Sequence, residues 1–390
     1  MQILDVRTIP LSYRCEKPYM SAAGGQVARN ALLVEIETDT GLVGLGEAGS
    51  AGGPLVSTQV VVEQELKPLL LGEDPLLIEY LGQKMFQRTR QHGRRGILMH
   101  AISGIDIALW DLAGKTAHLP LYRLLGAYRD KVEAYASGGF YQEGKDIAAL
   151  AEEAGSYVSQ GYRAMKMKIG RNPSTQTNLR EMLAMHDKCV VSLEEDLARV
   201  EAVRRVLGRE AKLMVDINCA WSPALAIQMG RALEPQNLYW IEEPVATDDI
   251  KGSAEVARAL GTAIAGYETE VGAYGFRELI TQRAVDIIQP DIAWAGGFTE
   301  CRRIAAFAHV YNMMVAPHAF SSAITLVASM HLLASIPNGL LLEFDQNPNA
   351  LRAELLQEPI SAEDGFVKLP ERPGLGVALE PEVVERYRVH

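Results

Sequence analysis

From Lys131 onward, short apolar segments alternate with amphipathic ones, and this alternation constrains the fold more than any other feature of the sequence. Eight apolar segments recur along the 390-residue chain: KVEAYASG, AMKMKIG, KLMVDIN, LYWIEEP, AIAGYE, VDIIQPD, MMVAPH and LLLEFD. Amphipathic runs such as Asp196–Leu207 and Phe298–Tyr311 separate them. Eight strands alternating with helices predict a (β/α)₈ barrel. A doubly wound open sheet is the alternative, but no G-x-G-x-x-G follows any of these segments, and the barrel is favoured.

The first third of the chain has a mixed pattern. We expect strands at Gln2–Leu11 and Ala31–Glu37, and helices at Leu55–Leu71 and Gly96–Lys115. Between the two strands, residues 13–30 are rich in glycine, serine and charge, and predict a mobile loop. This loop and the glycine-rich residues 46–53 are placed to cover a site and to set its specificity.

Composition excludes several classes of protein. The formal net charge of −11 argues against nucleic acid as a partner, because a phosphate-binding surface needs an excess of basic residues. We find neither an apolar run of about 20 residues nor a signal-like N-terminus, so we expect a cytoplasmic protein without a membrane partner. The four cysteines form no C-x-x-C pair, which argues against a zinc knuckle or a disulfide framework.

A charged or polar residue ends each of the last six of the eight predicted strands. These residues are spaced by 23 to 27 positions, one strand-helix unit apart: Asp216, Glu242, Glu268, Asp291, His318 and Glu343. In a barrel, the carboxyl ends of all strands meet at one mouth, where active sites of this fold are built. The six side chains are therefore predicted to converge on one cavity.

Two lysines lie one residue apart in the second predicted strand. Alternate side chains of a strand point the same way, so Lys166 and Lys168 share one face and project toward the carboxylates. Asp216, Glu242 and Glu268 cannot all stay ionised at close range without a cation between them. A hard divalent ion with oxygen ligands, Mg²⁺ in the first place, resolves this repulsion.

Each of these residues alone has a simpler interpretation. A K-x-K pair on a strand is usually solvated, a lone Asp at a strand end is usually a cap or turn residue, and His318 after a proline fits a buried, hydrogen-bonded histidine. Their occurrence together at the ends of consecutive strands is what favours a functional site.

The motifs KMK, DIN, EEP, YET, QPD, APH and LEF, in this order, resemble the enolase superfamily, and within it the mandelate racemase subgroup. The resemblance covers nearly the whole chain. It implies an N-terminal α+β capping domain, a modified (β/α) barrel and a C-terminal segment that returns to the cap. We place these parts at residues 1–128, 129–350 and 351–390.

The resemblance also implies roles for the residues at the strand ends. Asp216, Glu242 and Glu268 would bind Mg²⁺. Lys168 would be the base on one face of the substrate, with Lys166 holding the substrate carboxylate and depressing the pKa of its neighbour. His318, oriented by Asp291, would act on the opposite face, and Glu343, protonated or sharing a proton, would hydrogen-bond the developing enolate. Tyr267 stands where the family often has glycine, which leaves the local backbone open.

The expected activity is removal of a proton α to a carboxylate, followed by one of several outcomes. The motifs RRGILMHAISGIDIALWDLAGK, AGGFTE and LEFDQNPNALR are similar to those of sugar-acid enzymes. Dehydration to a 2-keto-3-deoxy acid is the first hypothesis; lactone cycloisomerisation and racemisation or epimerisation are alternatives. A barrel that binds a carboxylate without turnover is the hypothesis from another class, and Lys168 and His318 argue against it. A homo-oligomer is expected.

Overall fold

The computed structural model describes residues 1–49, 53–172 and 189–389. The chain begins with a three-stranded antiparallel sheet in the order β1 (Ile3–Ser21), β2 (Gly24–Thr38) and β3 (Val43–Ala48). The first two strands form one long hairpin, in which Ser21 pairs with Gly24.

The loop predicted for residues 13–30 is wrong. Both strands run through it, and the pairing is irregular only between Arg14 and Tyr19. Composition misled the prediction because it ignores which side chains face inward: Cys15, Tyr19 and Met20 are buried. The predicted cover at residues 46–53 is described only in part, since residues 50–52 lie outside the described ranges.

Helices complete the N-terminal part, and both helical predictions there are confirmed. They span Leu55–Val60, Lys67–Leu70, Ile78–Thr89, Ile97–Thr116 and Leu121–Leu124, with a π-helical turn at Val61–Leu66. We call Ile97–Thr116 the cap helix. By length and composition it is apolar enough to cross a membrane, but 83% of its most apolar 18-residue stretch is buried inside the protein. A Cβ atom on Gly46 of β3 would lie 2.1 Å from the Gly104 carbonyl oxygen, so glycine permits this close helix-sheet contact.

The eight predicted barrel segments all contain strands. These are β4 (Lys131–Ser137), β5 (Ala164–Lys168), β6 (Lys212–Asp216), β7 (Trp240–Glu242), β8 (Ala263–Gly266), β9 (Ile287–Ile288), β10 (Met314–Val315) and β11 (Leu342–Asp345). They are parallel and follow each other in the order β10-β9-β8-β7-β6-β5-β4-β11. Hydrogen bonds between Val315 and residues Asn338 and Leu340 join β10 to the segment before β11. The ring is thereby closed, and the barrel prediction is confirmed.

Helices connect these strands as the sequence predicted. They span Ile147–Ser159, Leu193–Leu207, Pro223–Leu233, Ile250–Ala259, Gly272–Gln282, Gly297–Val310 and Ala323–Ser335, with a 3₁₀ turn at Glu234–Gln236. After the barrel come the helix Ala350–Ala353, the strand β12 (Phe366–Lys368), which pairs antiparallel with β4, and the helix Pro381–Tyr387. Near the end of the chain, Val389 N donates to Pro10 O in β1. The domain boundaries proposed from the sequence stay predictions.

Candidate active site

The interior of the barrel changes from apolar to charged within one step along its strands. One buried layer takes a side chain from each of the eight strand segments: Tyr135, Ala164, Met214, Trp240, Ala265, Ile287, Ala316 and Leu341. Two residues further along their strands, the inward side chains are Lys166, Asp216, Glu242 and Glu343, each at most 1% exposed. The charged groups therefore rest on a packed apolar floor and face the mouth.

Both lysines of the K-x-K pair are buried against carboxylates. Lys166 Nζ donates to Glu242 Oε1, lies 2.9 Å from Glu343 Oε1 and 3.7 Å from Asp216 Oδ2. Lys168 Nζ donates to Asp216 Oδ2. The structure thus brings the two ammonium groups and three of the predicted site carboxylates into one contiguous cluster.

The protonation states of this cluster differ from the expectation in two respects. Burial and the Lys166 ammonium group would lower the pKa of Lys168, but the Asp216, Glu268 and Glu242 carboxylates together outweigh them, so that pKa is raised. Burial would raise the pKa of Glu343, but Lys166 and His318 hold it below its usual range. In this arrangement Lys168 is charged and Glu343 is ionised, whereas a depressed lysine pKa and a protonated or proton-sharing glutamate were expected.

Asp216, Glu242 and Glu268 offer oxygen atoms that all lie within 4.8 Å of one another. Two of these carboxylates are oriented by donors: Asn218 N donates to Asp216 Oδ1 at 2.9 Å, and Gln289 Nε2 donates to Glu242 Oε2 at 2.8 Å. Three convergent carboxylates form the all-oxygen donor set that hard divalent cations prefer. The residues present therefore fit the expected Mg²⁺.

The backbone is left-handed at four non-glycine residues that flank these three carboxylates. Their φ angles are +46° at Asn218, +64° at Cys219, +41° at Glu243 and +73° at Tyr267. Conformations of this kind are costly for residues with a Cβ and persist only where the surroundings enforce them. At Tyr267, where the family often has glycine, the backbone adopts a glycine-like conformation despite the side chain.

The Glu243 carboxylate helps to enforce this conformation. Its Oε1 accepts hydrogen bonds from Tyr267 N at 3.0 Å and from Glu268 N at 3.2 Å. Burial raises the pKa of Glu243 to about 8, and the nearby Glu268 charge acts in the same direction. Glu243 thus fixes the strand end that carries Glu268.

His318 and Asp291 form a buried pair. His318 Nδ1 lies 2.6 Å from Asp291 Oδ2, and Asp291 Oδ1 accepts from Ala293 N at 2.7 Å. His318 Nε2 points toward Glu268 Oε2, 3.5 Å away. Burial alone would lower the pKa of His318, but Glu268 and the hydrogen bond to Asp291 raise it to about 10. The imidazole is therefore protonated, hydrogen-bonded through Nδ1 to Asp291 and directed through Nε2 toward Glu268.

Sequence reasoning missed several polar residues that hold this site. Ser137 Oγ donates to Glu343 Oε1 at 2.7 Å, Ala319 N donates to Glu343 Oε2 at 3.1 Å, and Trp240 Nε1 donates to Glu242 Oε2 at 2.9 Å. The alternation of side chains along β4 could have identified Ser137. Ser137 follows the buried Tyr135 by two positions, so both side chains point into the barrel.

Glu47 of β3 was also missed, although it is fully buried. Its carboxylate accepts hydrogen bonds from Ser321 Oγ, from Ser322 Oγ at 2.6 Å and from Thr325 N at 2.9 Å. These donors lie in the segment that follows His318 and begins the helix Ala323–Ser335. A residue of the N-terminal part thus anchors the chain beside the catalytic histidine candidate.

Two family models match most of the chain. Residues 4–126 match the mandelate racemase / muconate lactonizing enzyme N-terminal domain, and residues 149–383 match the enolase C-terminal domain-like family.

Known proteins of this kind are similar over their full length. An arabinonate dehydratase of Saccharolobus solfataricus is 39% identical over 99% of both chains. A D-galactarolactone cycloisomerase of Agrobacterium fabrum is 33% identical over 100% of this chain and 99% of its own. The crystal structure of a racemase from Streptomyces coelicolor A3(2) with bound magnesium has a TM-score of 0.88 and 34% identity, and the match covers 99% of this chain and 100% of that one.

Proposed function

This chain belongs to the mandelate racemase and muconate lactonizing enzyme group of the enolase superfamily, and we propose that it is a Mg²⁺-dependent sugar-acid dehydratase. Its substrate is a sugar acid, from which it removes the α-proton and expels the β-hydroxyl group to leave a 2-keto-3-deoxy acid. One observation carries the proposal: Lys168 and His318, two groups able to transfer protons, both contact the cluster of candidate metal ligands. The cytoplasmic location and homo-oligomeric state stay predictions.

The residues around the substrate carboxylate lower the cost of removing the α-proton. When bound by Asp216, Glu242 and Glu268, Mg²⁺ supplies positive charge that stabilises the dianion formed at the carboxylate. Lys166, buried between Glu242 and Glu343, adds a second fixed positive charge. Lys168 takes the α-proton once its ammonium group has lost its own proton, which requires weakening of its ion pair with Asp216.

His318 supplies the acid that elimination needs. A hydroxyl group leaves readily only when it is protonated as its bond to carbon breaks. The protonated imidazole, held by Asp291, donates its Nε2 proton to the leaving oxygen, and water departs. Lys168 and His318 thereby act as base and acid of one elimination.

Other outcomes of the same first step remain candidates. Return of a proton to the α-carbon would give an epimer, and participation of an internal carboxylate would give a lactone isomer. The similarity to a lactone cycloisomerase keeps the second outcome open. A barrel that only binds a carboxylate is disfavoured because it has no use for the two proton-transfer groups.

The proposal is tested by product analysis. The purified protein with Mg²⁺ is incubated with hexonates, pentonates and hexarates, and 2-keto-3-deoxy acids are measured by reaction with semicarbazide and identified by NMR. We expect a keto acid from at least one substrate and severe impairment in His318→Asn. Formation of a rearranged lactone or an inverted α-centre, with no keto acid from any substrate, would overturn the dehydratase assignment.

A further inference from the structure

Three aromatic rings, those of Tyr19, Phe140 and Phe320, form a continuous wall beside the two proton-transfer groups. Lys168 Nζ lies 5.1 Å from the centre of the Phe140 ring. Phe140 stacks on Phe320 at 5.6 Å between ring centroids, and the Phe320 ring lies 6.3 Å from that of His318. Tyr19 packs edge-on against Phe140 at 4.9 Å. We call these three residues the aromatic wall; it runs from one proton-transfer group to the other.

A guanidinium group packs directly against the aromatic wall. Arg29 of β2 is only 3% exposed, and its Cζ atom lies 3.7 Å from the centre of the Phe320 ring. Its Nη1 donates to Tyr19 Oη at 2.7 Å and its Nη2 to Phe320 O at 2.8 Å. Arg29 therefore holds two members of the wall in place.

The charge of Arg29 is matched by a buried carboxylate. Asp345 of β11 is 2% exposed, and its Oδ2 atom lies 3.2 Å from Arg29 Nη2. Its other oxygen, Oδ1, accepts from Asn347 N at 3.0 Å and from Asn347 Nδ2 at 2.6 Å. The Arg29–Asp345 pair carries no net charge. The guanidinium group is therefore neutralised within the protein and is not free to pair with a charged group of a ligand.

We propose that the substrate is an aldonate, a sugar acid with a single carboxylate, and that the Arg29–Asp345 pair enforces this choice. The inference rests on the proposed function, which places the substrate carboxylate at the metal ligands, and it adds that the rest of the sugar chain lies along the aromatic wall. The phenyl rings of Phe140 and Phe320 supply no hydrogen-bond donor to an anion. A second carboxylate at the far end would also lose its hydration without gaining a free cation from Arg29. A hydroxyl group at that end carries no such penalty.

Substitutions in the Arg29–Asp345 pair should change the preference for aldonates over aldarates. Asp345→Asn leaves the buried guanidinium without its counter-charge, which makes the wall attractive to a second carboxylate. Arg29→Gln has the opposite effect, because it leaves Asp345 as an uncompensated negative charge. Asp364→Asn is the matched control: Asp364 is exposed and lies in the turn before β12, which pairs with the end of β4 away from the mouth.

The experiment compares stereochemically matched pairs, each an aldonate and the aldarate that differs only by oxidation of its terminal carbon. For the Mg²⁺-loaded protein, kcat/KM and the calorimetric Kd are measured for both members of each pair. We expect the best aldonate to be favoured over its aldarate on the order of 100-fold. Asp345→Asn should reduce this ratio at least about tenfold, Arg29→Gln should raise it, and Asp364→Asn should leave it unchanged.

The two proposals fail in different ways. An aldarate that binds as tightly as its matched aldonate, or is turned over as well, overturns the aldonate inference while the dehydratase assignment stands. The inference is also overturned when folded Asp345→Asn keeps the wild-type ratio. Binding of aldonates without any keto-acid product overturns the dehydratase assignment and supports the aldonate preference.

Discussion

Glu47 and Thr325 join the N-terminal sheet to the barrel at the start of a helix. Glu47 Oε2 accepts hydrogen bonds from Thr325 N at 2.9 Å and from Thr325 Oγ1 at 2.7 Å, within the first turn of Ala323–Ser335. A carboxylate at this position is favoured by the unpaired N–H groups and the dipole of the helix. The segment that carries His318 is therefore held from the cap side.

Glu47→Gln is predicted to impair catalysis through His318. The amide nitrogen that replaces one carboxylate oxygen cannot accept the hydrogen bonds made by Ser322 and Thr325, so the segment after His318 loosens. We expect kcat to fall more than KM changes, and the free energy of unfolding to drop by about 1–3 kcal/mol. Glu37→Gln, a change at a half-buried glutamate of β2 on the same N-terminal sheet, is the control. Wild-type kcat in folded Glu47→Gln would contradict this positioning role.

Glu242→Gln is predicted to preserve the fold and to abolish metal-dependent activity. The neutral amide keeps the shape of the side chain but removes one of the three charges at the candidate metal ligands. Activity should fall by more than about 100-fold, and bound Mg²⁺ measured by elemental analysis should decrease. The exposed Glu278→Gln serves as control. Full wild-type activity after exhaustive chelation would refute the metal assignment.

Lys168→Ala is predicted to separate the two faces of the site. If Lys168 and His318 act on opposite faces, each exchanges the α-proton with solvent deuterium from its own side. We expect the variant to lose exchange for one α-configuration and to retain it for the other, as followed by NMR. His318→Asn should show the reverse. Loss of exchange for both configurations in a folded, metal-binding Lys168→Ala protein argues against two independent groups.

Acid is predicted to destabilise the protein through the buried His331. Its Nδ1 accepts from Tyr122 N at 3.1 Å, and burial lowers its pKa to about 4. The unfolded chain takes up this proton near the ordinary pKa of 6.5, whereas the folded protein resists it until about pH 4. The contribution of His331 to the free energy of unfolding is thus fully present above about pH 6.5. It is lost as the pH falls toward 4, and the total loss is about 3 kcal/mol.

The His331 contribution is measured by urea unfolding between pH 7.5 and 4.5. His331→Gln should be less stable at pH 7.5 because the histidine hydrogen bonds are changed, but its stability should depend less steeply on pH. His118→Gln, a change at an exposed histidine, should keep the wild-type slope. An equal slope in His331→Gln and the wild type would show that this histidine does not titrate on unfolding.

The barrel and the convergence of its polar side chains could be predicted because both follow from local periodicity. Asp216, Glu242 and Lys166 lie at inward positions of short apolar strands, so the strand register alone brings them together. The hairpin of residues 3–38 could not be predicted in the same way. Its burial depends on barrel residues, such as Phe140, that pack against Cys15 and Tyr19. The local composition of the hairpin does not indicate that such a contact forms.

Long-range polar contacts could not be predicted from the sequence for a similar reason. Glu47 and Ser137 are single polar residues whose partners, Thr325 and Glu343, lie more than two hundred residues away. The charge of Glu343 also depends on distances of a few ångströms to Lys166 and His318, which no spacing rule supplies.

The contact between the two ends of the described chain has a consequence for biosynthesis. Val389 N donates to Pro10 O, and Leu11 and Arg388 form an antiparallel bridge, so β1 gains this neighbour from residues that follow the whole barrel in the chain. A nascent chain exposes this strand edge while the barrel is being made, because residues 388 and 389 follow the barrel in the order of synthesis. Until residues 388 and 389 pair with it, this edge of β1 is open to non-native pairing with other strands.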